Sequence, residues 1–311
     1  MNLLVVGSIA LDTVKTPFDK AEDVLGGSAT FFSISASYFA NVYLVGVIGE
    51  DFPDEGLEIF KRHSIDIRGI EKRKGKTFRW KGEYGYDLNW AKTIDTQLNV
   101  FKDFNPKIPE EYKNCEYVFL ANIDPSLQLK VLEQIKKPKL VACDTMNFWI
   151  EGKLKELKKV LRKIDILLIN DSEARELAKE HNITKAAKKI LSWGPRNLVI
   201  KRGEYGALMY SDYETFAAPA YPLDSVYDPT GAGDTFAGGF MGYLANVNNF
   251  TESTLRQAII FGSVMASFNV EEFSLNRMRN LKHAEIKDRF HEIKRLSHFD
   301  DLDQEFFNHI V

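Results

Sequence analysis

Short runs of apolar residues recur along the chain and are separated by longer segments with helical periodicity. Unbroken apolar runs of this length predict strands that are covered on both faces. The clearest runs cover residues 3–6, 42–47, 117–121, 140–143, 166–169 and 198–200. Between several of them the apolar positions fall on one helical stripe, as in Leu127, Val131, Leu132 and Ile135 or in Leu154, Leu157, Val160 and Leu161. This alternation predicts an α/β fold, an αβα sandwich with a mainly parallel central sheet.

Two segments depart from this alternation, residues 12–25 and residues 66–104. The second contains the stretch from Thr77 to Tyr84, in which the residues alternate with a period of about two, as in a strand with one wet face. We expect the two segments to form a small sheet that acts as a lid over the carboxyl ends of the parallel strands, where open α/β sheets bind ligands. The chain is predicted to be one domain, 1–311, with this lid.

Charge and cysteine content narrow the classes of partner. The chain of 311 residues has 41 lysine and arginine residues against 44 acidic ones, a net charge of -3. Such a balance disfavours nucleic acid and anionic membrane as partners, and it favours small molecules. Cys115 and Cys143 lack metal-binding spacing and indicate buried thiols in a reducing compartment. The apolar start of the chain is too short for a signal segment or a membrane span, so we expect a cytoplasmic protein.

The strongest local signal is the glycine-rich stretch from Asp228 to Phe240, with the sequence DPTGAGDTFAGGF, which leads directly into a helical pattern. Glycines allow backbone amides to approach an anion, and a helix N-terminus offers unpaired N–H groups, so phosphate is the expected ligand. A carboxylate at Asp234 would repel that anion, but it fits a general base that takes a proton from an attacking hydroxyl. The alternative is that Asp234 only stabilises the first helical turn.

This stretch resembles the carboxyl-terminal signature of the ribokinase-like kinases, also called the PfkB family. The resemblance implies that Asp234 is the catalytic base and that Gly231, Ala232 and Gly233 form the anion hole. It also implies an ATP-dependent, magnesium-dependent kinase that phosphorylates a hydroxyl group of a sugar or a sugar-like molecule.

Further positions resemble the family in chain order, from about residue 3 to about residue 275. Asp12, Gly26 and Gly27 resemble its substrate-binding residues, although ordinary turn chemistry would also explain them. Asn170 and Glu173 resemble an N-x-x-E element near the magnesium and phosphates, with Glu173 acting on the metal through water. The alternative for this pair is a helix cap and a first-turn acid. The remaining expected nucleotide-binding residues are Lys201, Gly203, Gly206 and Thr230, where the two glycines would also fit a hairpin turn.

Two features leave the acceptor open. Phe31 stands where many members of the family have a substrate-binding asparagine, and we expect it to pack in the core with Ile34 and Tyr38. The predicted lid is rich in aromatic residues, namely Phe78, Trp80, Tyr84, Tyr86 and Trp90. These rings would fit a sugar cover, a nucleobase platform, which favours an adenosine-type nucleoside kinase, or a homodimer interface through the lid. A ligand-binding sensor without catalytic activity is the remaining alternative.

Overall fold

The computed structural model describes residues 1–300, so the end of the predicted domain, 301–311, lies outside the described residues. Thirteen strands are present in this part of the chain: β1 Asn2–Val6, β2 Ala10–Lys15, β3 Lys20–Gly26, β4 Asn41–Ile48, β5 Asp66–Lys72, β6 Phe78–Tyr84, β7 Ala91–Gln97, β8 Tyr117–Leu120, β9 Leu140–Asp144, β10 Ile166–Asn170, β11 Asn197–Lys201, β12 Ala207–Ser211 and β13 Thr215–Ala218. Every apolar run predicted as a strand is a strand.

Nine of the strands form one sheet in the order β13-β12-β11-β10-β9-β8-β1-β4-β5. The pairs from β11 to β5 are parallel, and only β12 and β13 are antiparallel to their neighbours. The predicted α/β class with a mainly parallel sheet is therefore confirmed.

Helices cover both faces of this sheet. The helices are α1 Ser28–Ser37, α2 Asp54–Arg62, α3 Pro125–Gln134, α4 Asn147–Gly152, α5 Leu154–Leu161, α6 Asp171–Ala178, α7 Ile183–Leu191, α8 Ala232–Val247, α9 Glu252–Asn269 and α10 His283–Leu296. Successive residues of β1 enter opposite cores: Leu3 and Val5 pack with α1, α2 and α8–α10, whereas Leu4 and Val6 pack with α3–α7. A strand buried on both faces needs the unbroken apolar run that the sequence shows.

The remaining four strands form the lid, a small sheet with the order β3-β2-β6-β7. The β2–β3 and β6–β7 pairs are antiparallel, and β2 and β6 are parallel. The small sheet expected from residues 12–25 and 66–104 is thus present, with narrower bounds.

The start of the second lid segment is a correction to the sequence prediction. Residues Asp66–Lys72 form β5, which pairs with β4 at the edge of the main sheet and not with the lid. An edge strand has a neighbouring strand on one side only, so it is less buried than the strands inside the sheet. β5 is half-buried or exposed along its whole length. Its hydrophobic pattern is therefore the same as that of a lid strand, and sequence periodicity does not separate the two.

Two further expectations concern the whole molecule. Cys115 and Cys143 are both free, buried thiols, as predicted. None of the helices in residues 1–300 has the length and apolar character needed to cross a membrane.

Candidate active site

Three neighbouring parallel strands end in polar residues at one edge of the main sheet. Asp144 ends β9, Asn170 ends β10 and Lys201 ends β11. Asn170 and Lys201 are register partners, and Asp144 is the partner of Leu168 one strand away. Because ligands bind at the carboxyl ends of parallel strands, this edge is a candidate active site.

The glycine-rich loop brings free backbone N–H groups to this site. Gly231 has a φ of 74°, and α8 begins at the next residue. The N–H groups of Gly231, Gly233 and Asp234 donate no hydrogen bond to any residue in the described range. The N–H of Ala232 is different, since it donates to the carbonyl oxygen of Pro229 at 3.2 Å. Three of the amides in the predicted anion-binding stretch are therefore free for an anion.

Buried polar contacts fix the shape of this loop. The carboxylate of Asp228 accepts hydrogen bonds from the N–H of Thr230 at 2.9 Å and from that of Ser274 at 3.2 Å. The side-chain amide of Asn269 donates to the carbonyl oxygen of Thr230 at 2.8 Å. Asp228 and Asn269 are each 1% exposed. The loop thus holds its free N–H groups in place before any ligand binds.

Asp234 lies in the first turn of α8, between the loop and the strand ends. Burial raises the pKa of its carboxyl to about 7, the negative charge of Asp144 adds to this rise, and the ammonium of Lys201 opposes it. A carboxyl group whose pKa lies near neutral pH is well matched to proton abstraction from a hydroxyl.

A buried ion pair faces Asp234. Nζ of Lys201 lies 2.8 Å from Oδ2 of Asp144, and the two side chains are 15% and 7% exposed. Lys201 was predicted at this site, but Asp144 was not. The available signal was an aspartate directly after a buried apolar run, at the end of a predicted parallel strand.

Asn170 and Glu173 meet at the start of α6. The side chain of Asn170 accepts from the N–H of Glu173, and the carboxylate of Glu173 accepts from the N–H of Asn170, both at 2.8 Å. This is the capping box that the alternative interpretation expected. Burial raises the pKa of Glu173 to about 8, and the nearby carboxylate of Asp144 adds to the rise. The pair therefore both begins the helix and adds a carboxyl group to the site.

The predicted substrate residues come together on the lid side. Asp12 lies on β2 and is 5% exposed. A Cβ on Gly26 would lie 1.9 Å from Oδ2 of Asp12, so only glycine leaves space for this carboxylate. Gly27 has a φ of 94°, and a Cβ there would meet the carbonyl oxygen of Ser8 at 2.6 Å. Burial raises the pKa of Asp12 to about 8, and the charges of Asp228 and Asp234 contribute.

The lid also contacts the glycine-rich loop directly. The hydroxyl of Thr230 donates to the hydroxyl of Tyr84, the last residue of β6, at 3.3 Å. Burial raises the pKa of Tyr84, and the nearby carboxylates of Asp228 and Asp12 add to this rise. A tyrosine of the lid therefore reaches into the space between the predicted substrate residues and the loop.

Gly203 and Gly206 lie in the tight turn between β11 and β12. Both have positive φ values, 54° and 82°. A Cβ on Gly206 would lie 2.0 Å from the carbonyl oxygen of Ala218, and one on Gly203 would lie 2.3 Å from Oδ1 of Asn89 in the β6–β7 loop. Chain packing therefore accounts for both glycines, and the hairpin interpretation describes this segment well.

Phe31 packs in the core of the main domain, as expected. It is 2% exposed within the cluster that also contains Ile34, and Tyr38 packs against the edge of that cluster. Its ring also lies against the glycine-rich loop, where a Cβ on Gly231 would be 2.3 Å from Cδ2 of Phe31. Phe31 therefore packs against this loop.

A family model for pfkB family carbohydrate kinases matches residues 8–280 of the chain. The chain belongs to this family. Cytidine kinase of Thermococcus kodakarensis is 32% identical over 246 residues, which is 78% of this chain and 87% of that protein. The match to the pfkB family includes both the lid and the glycine-rich loop.

Solved structures agree on the fold of this pfkB family member. The nucleoside kinase of Methanocaldococcus jannaschii has a TM-score of 0.74 at 22% identity, and the match covers 94% of this chain and 98% of that one. A putative ribokinase II from E. coli, solved with ATP and magnesium, has a TM-score of 0.77 at 20% identity, with 94% and 99% covered. The chain is therefore a kinase with a ribokinase-like fold that acts on a sugar or a nucleoside.

Proposed function

We propose that this kinase transfers the γ-phosphoryl group of ATP to the primary hydroxyl of a nucleoside. The observation that carries the choice of a nucleoside over a free sugar is the position of Trp80, beside Asp12 on the lid. The identity to a cytidine kinase points in the same direction and favours a pyrimidine nucleoside.

Trp80 and Asp12 are register partners in the parallel pair β2–β6, so their side chains lie on the same face of the lid. Tyr84 lies on that face of β6 too. Because Tyr84 accepts a hydrogen bond from Thr230, this face of the lid is turned towards the glycine-rich loop. Trp80 and Asp12 thus share one face of the lid, with the Asp12 carboxylate over Gly26 of β3 and the indole over Gly82 of β6.

The Trp80 ring is held in one orientation. Its Nε1 donates to the hydroxyl of Thr93 at 3.2 Å. A Cβ on Gly82 would lie 2.1 Å from Cη2 of Trp80, so the indole covers the backbone of that glycine. A flat, fixed aromatic surface on the same face of the lid as the carboxylate proposed to bind hydroxyls fits a ribose with a base attached, because stacking on a base stabilises binding by about 1–3 kcal/mol.

In the proposed reaction each group of the site has one task. Asp12 accepts hydrogen bonds from the hydroxyls of the ribose, and Asp234 takes the proton of the attacking hydroxyl. The free N–H groups of Gly231, Gly233 and Asp234 stabilise the charge on the transferring phosphoryl group. ADP leaves with the electron pair of the broken P–O bond, and the new P–O bond joins phosphorus to the acceptor oxygen.

Magnesium would enter with the nucleotide. No group of three or more acidic, histidine or cysteine side chains within residues 1–300 forms a metal site. Glu173 and Asp144 supply carboxylates of the kind that hold magnesium through water. Bound there, the ion would neutralise charge on the phosphates of ATP.

A substrate panel tests the proposal. Wild-type protein is incubated with ATP, magnesium and either cytidine, uridine, adenosine, ribose or fructose, and release of ADP is measured. We expect nucleosides, and cytidine first among them, to be phosphorylated with the highest kcat/KM. Higher kcat/KM with a free sugar would contradict the choice of acceptor, and absence of turnover with every acceptor would favour the ligand-binding sensor.

A pair of tryptophan variants tests the role of the ring. Trp80→Ala should raise the KM for the nucleoside about 10-fold or more, since it removes one stacking surface. Trp90→Ala is the matched control, because Trp90 lies in the β6–β7 loop and is 57% exposed. Equal effects of the two substitutions would argue against stacking at Trp80.

A homodimer through the lid is a second part of the proposal. β7 is an edge strand of the lid, all of its residues are exposed, and Ile94 is 46% exposed. An exposed edge strand offers unpaired backbone groups to a second copy, and Ile94 adds an exposed apolar side chain to this edge. Sedimentation velocity of the wild type and of Ile94→Lys would test it. We expect the wild type to sediment as a dimer and the variant as a monomer, and a monomeric wild type would contradict the proposal.

A further inference from the structure

The side chain of Lys201 lies against the glycine-rich loop that is proposed to bind phosphate. Lys201 is the last residue of β11, and its Nζ lies 3.0 Å from the position that a Cβ on Gly233 would take, with Cε and Cδ at 3.6 and 3.8 Å. The lysine side chain therefore runs along the first turn of α8. The ammonium group lies close to the backbone of Gly233, whose N–H is free.

The electrostatics of this position are unusual for a structural lysine. A cation is disfavoured at the N-terminus of a helix, where the backbone already presents partial positive charge. Burial disfavours a cation as well, and yet Lys201 lies in an ion pair with Asp144 at 2.8 Å. The carboxylate of Asp144 thus holds the lysine at a place where two other influences oppose a cation.

Stability alone does not account for this ion pair. A buried ion pair is about as stable as two well-packed apolar side chains of the same size, and often less stable. Lys201 and Asp144 stand at the open edge of the sheet, with exposed fractions of 15% and 7%, where a ligand could reach them. Free N–H groups and an ammonium group that line the same space are suited to an anion.

We infer that Lys201 is a catalytic residue whose ammonium group contacts the phosphoryl group in transfer. Asp144 is its positioning residue, since the ion pair holds Nζ against the first turn of α8 before the nucleotide binds. The inference rests on the proposed function. It goes beyond the nucleotide-binding role expected for Lys201 from the sequence, because it places the ammonium group on the phosphoryl group in transfer and names Asp144 as its positioning residue.

The phosphoryl transfer that Lys201 assists needs no reactant other than ATP and the acceptor. The bond between the γ-phosphorus and the β–γ bridging oxygen breaks, and ADP takes the electron pair. The acceptor oxygen forms the new bond to phosphorus, and its proton goes to Asp234. Lys201 keeps its protons and offsets negative charge on the equatorial oxygens, which is the main task of the protein in phosphoryl transfer.

The first test separates this role from a purely structural one. Lys201→Met should lower kcat by about 10²-fold or more, the usual effect of losing one group that stabilises a transition state. It should weaken binding of the β,γ-imido analogue of ATP but leave binding of ADP unchanged within about 2-fold, because only the analogue carries a γ-phosphoryl group. Lys61→Met is the control, because Lys61 lies on α2 and pairs with Glu58 at the surface.

Chemical rescue distinguishes loss of the ammonium group from a folding defect in the Lys201 variants. Lys201→Cys, treated with bromoethylamine, acquires an ammonium group on a chain of nearly the length of lysine. The two native cysteines are 1% and 0% exposed, so the folded protein offers only the new thiol to the reagent. Aminoethylation should restore kcat by about 10-fold or more over the untreated variant, as expected for partial return of a charge-stabilising group.

Three results would overturn the inference. These are a Lys201→Met variant with wild-type kcat, equal weakening of ADP and the imido analogue, and no rescue by aminoethylation. Failure of the proposed function is seen separately, since it concerns which acceptor the wild type phosphorylates, whereas nucleotide binding by the Lys201 variants needs no acceptor.

Discussion

Asp12 and Gly26 lie on paired strands of the lid, and the carboxylate of one occupies the space of the missing side chain of the other. A Cβ at Gly26 would lie 1.9 Å from Oδ2 and 2.2 Å from Cγ of Asp12. The contact places the proposed acceptor-binding carboxylate flat against the backbone of β3. The paired glycines of the sequence are therefore required by geometry at the first position and by a positive φ at the second.

Gly26→Ala should displace Asp12 and weaken binding of the acceptor. We expect the KM for the acceptor to rise about 10-fold or more, as for loss of one hydrogen bond that leaves a buried polar group without a partner. Gly85→Ala in the β6–β7 loop is the control, because nothing lies within 4 Å of a Cβ at Gly85. Steady-state kinetics with varied acceptor would measure the difference. An unchanged KM in Gly26→Ala would show that Asp12 does not bind the acceptor from this position.

The raised pKa of Asp12 predicts how stability depends on pH. The folded protein binds a proton at Asp12 up to about pH 8, whereas the unfolded chain releases it near its ordinary value of 3.8. The stabilisation is complete below the unfolded value and is lost as the pH rises through the folded one. Wild-type protein without ligand should therefore become less stable from pH 5 to pH 8.

Asp12→Asn should reduce this dependence, because asparagine cannot ionise. Thermal unfolding of the two proteins at several pH values would measure it, and the melting temperature of Asp12→Asn relative to the wild type should rise with pH. A constant difference across this range would show that Asp12 is ionised in the folded protein.

The pKa of Asp234 predicts the pH dependence of catalysis. A base must be deprotonated to act, so kcat/KM should fall with a slope of one as the pH drops below about 7. Burial also raises the pKa of Glu173 in the same cluster, so the apparent value belongs to the cluster as a whole. Asp234→Asn should lower kcat by about 10² to 10⁴-fold and remove this limb. Wild-type turnover in that variant would exclude Asp234 as the base.

Phe31 has a packing role that an asparagine could not replace. Its ring is buried and lies against Gly231, so Phe31→Asn should lower the free energy of unfolding by about 3 kcal/mol or more. Phe299→Asn is the matched surface control, because Phe299 is 85% exposed. Denaturant unfolding would compare them. An equally stable Phe31→Asn with new activity on free sugars would instead assign this position to substrate selection.

Local patterns predicted the parts of the molecule that depend on neighbours in sequence. The buried strands and the glycine-rich loop are of this kind, since burial on both faces and a helix N-terminus each leave a local pattern. The ion pair of Asp144 and Lys201 is different, because its partners are 57 residues apart. They meet only through the strand order β9-β10-β11, which follows from the topology of the whole sheet.

The same limit applies to the lid. The aromatic residues of β6 were visible in the sequence, but the pairing of Trp80 with Asp12 depends on the register of two strands more than 60 residues apart. One step of register would turn Trp80 to the other face. The edge strand β5 shows the converse case, in which a correct strand pattern was assigned to the wrong sheet.

The two carboxylates proposed to act on the acceptor belong to different bodies of the molecule, Asp12 to the lid and Asp234 to the helical layer. β2 begins at Ala10, only a few residues after the core strand β1 ends at Val6. An acceptor bound to Asp12 thus joins the lid to the base and fills the space where water would otherwise stand. Bound ATP without an acceptor should consequently be hydrolysed at a low but measurable rate, because water then occupies the space beside Asp234 that the acceptor would fill.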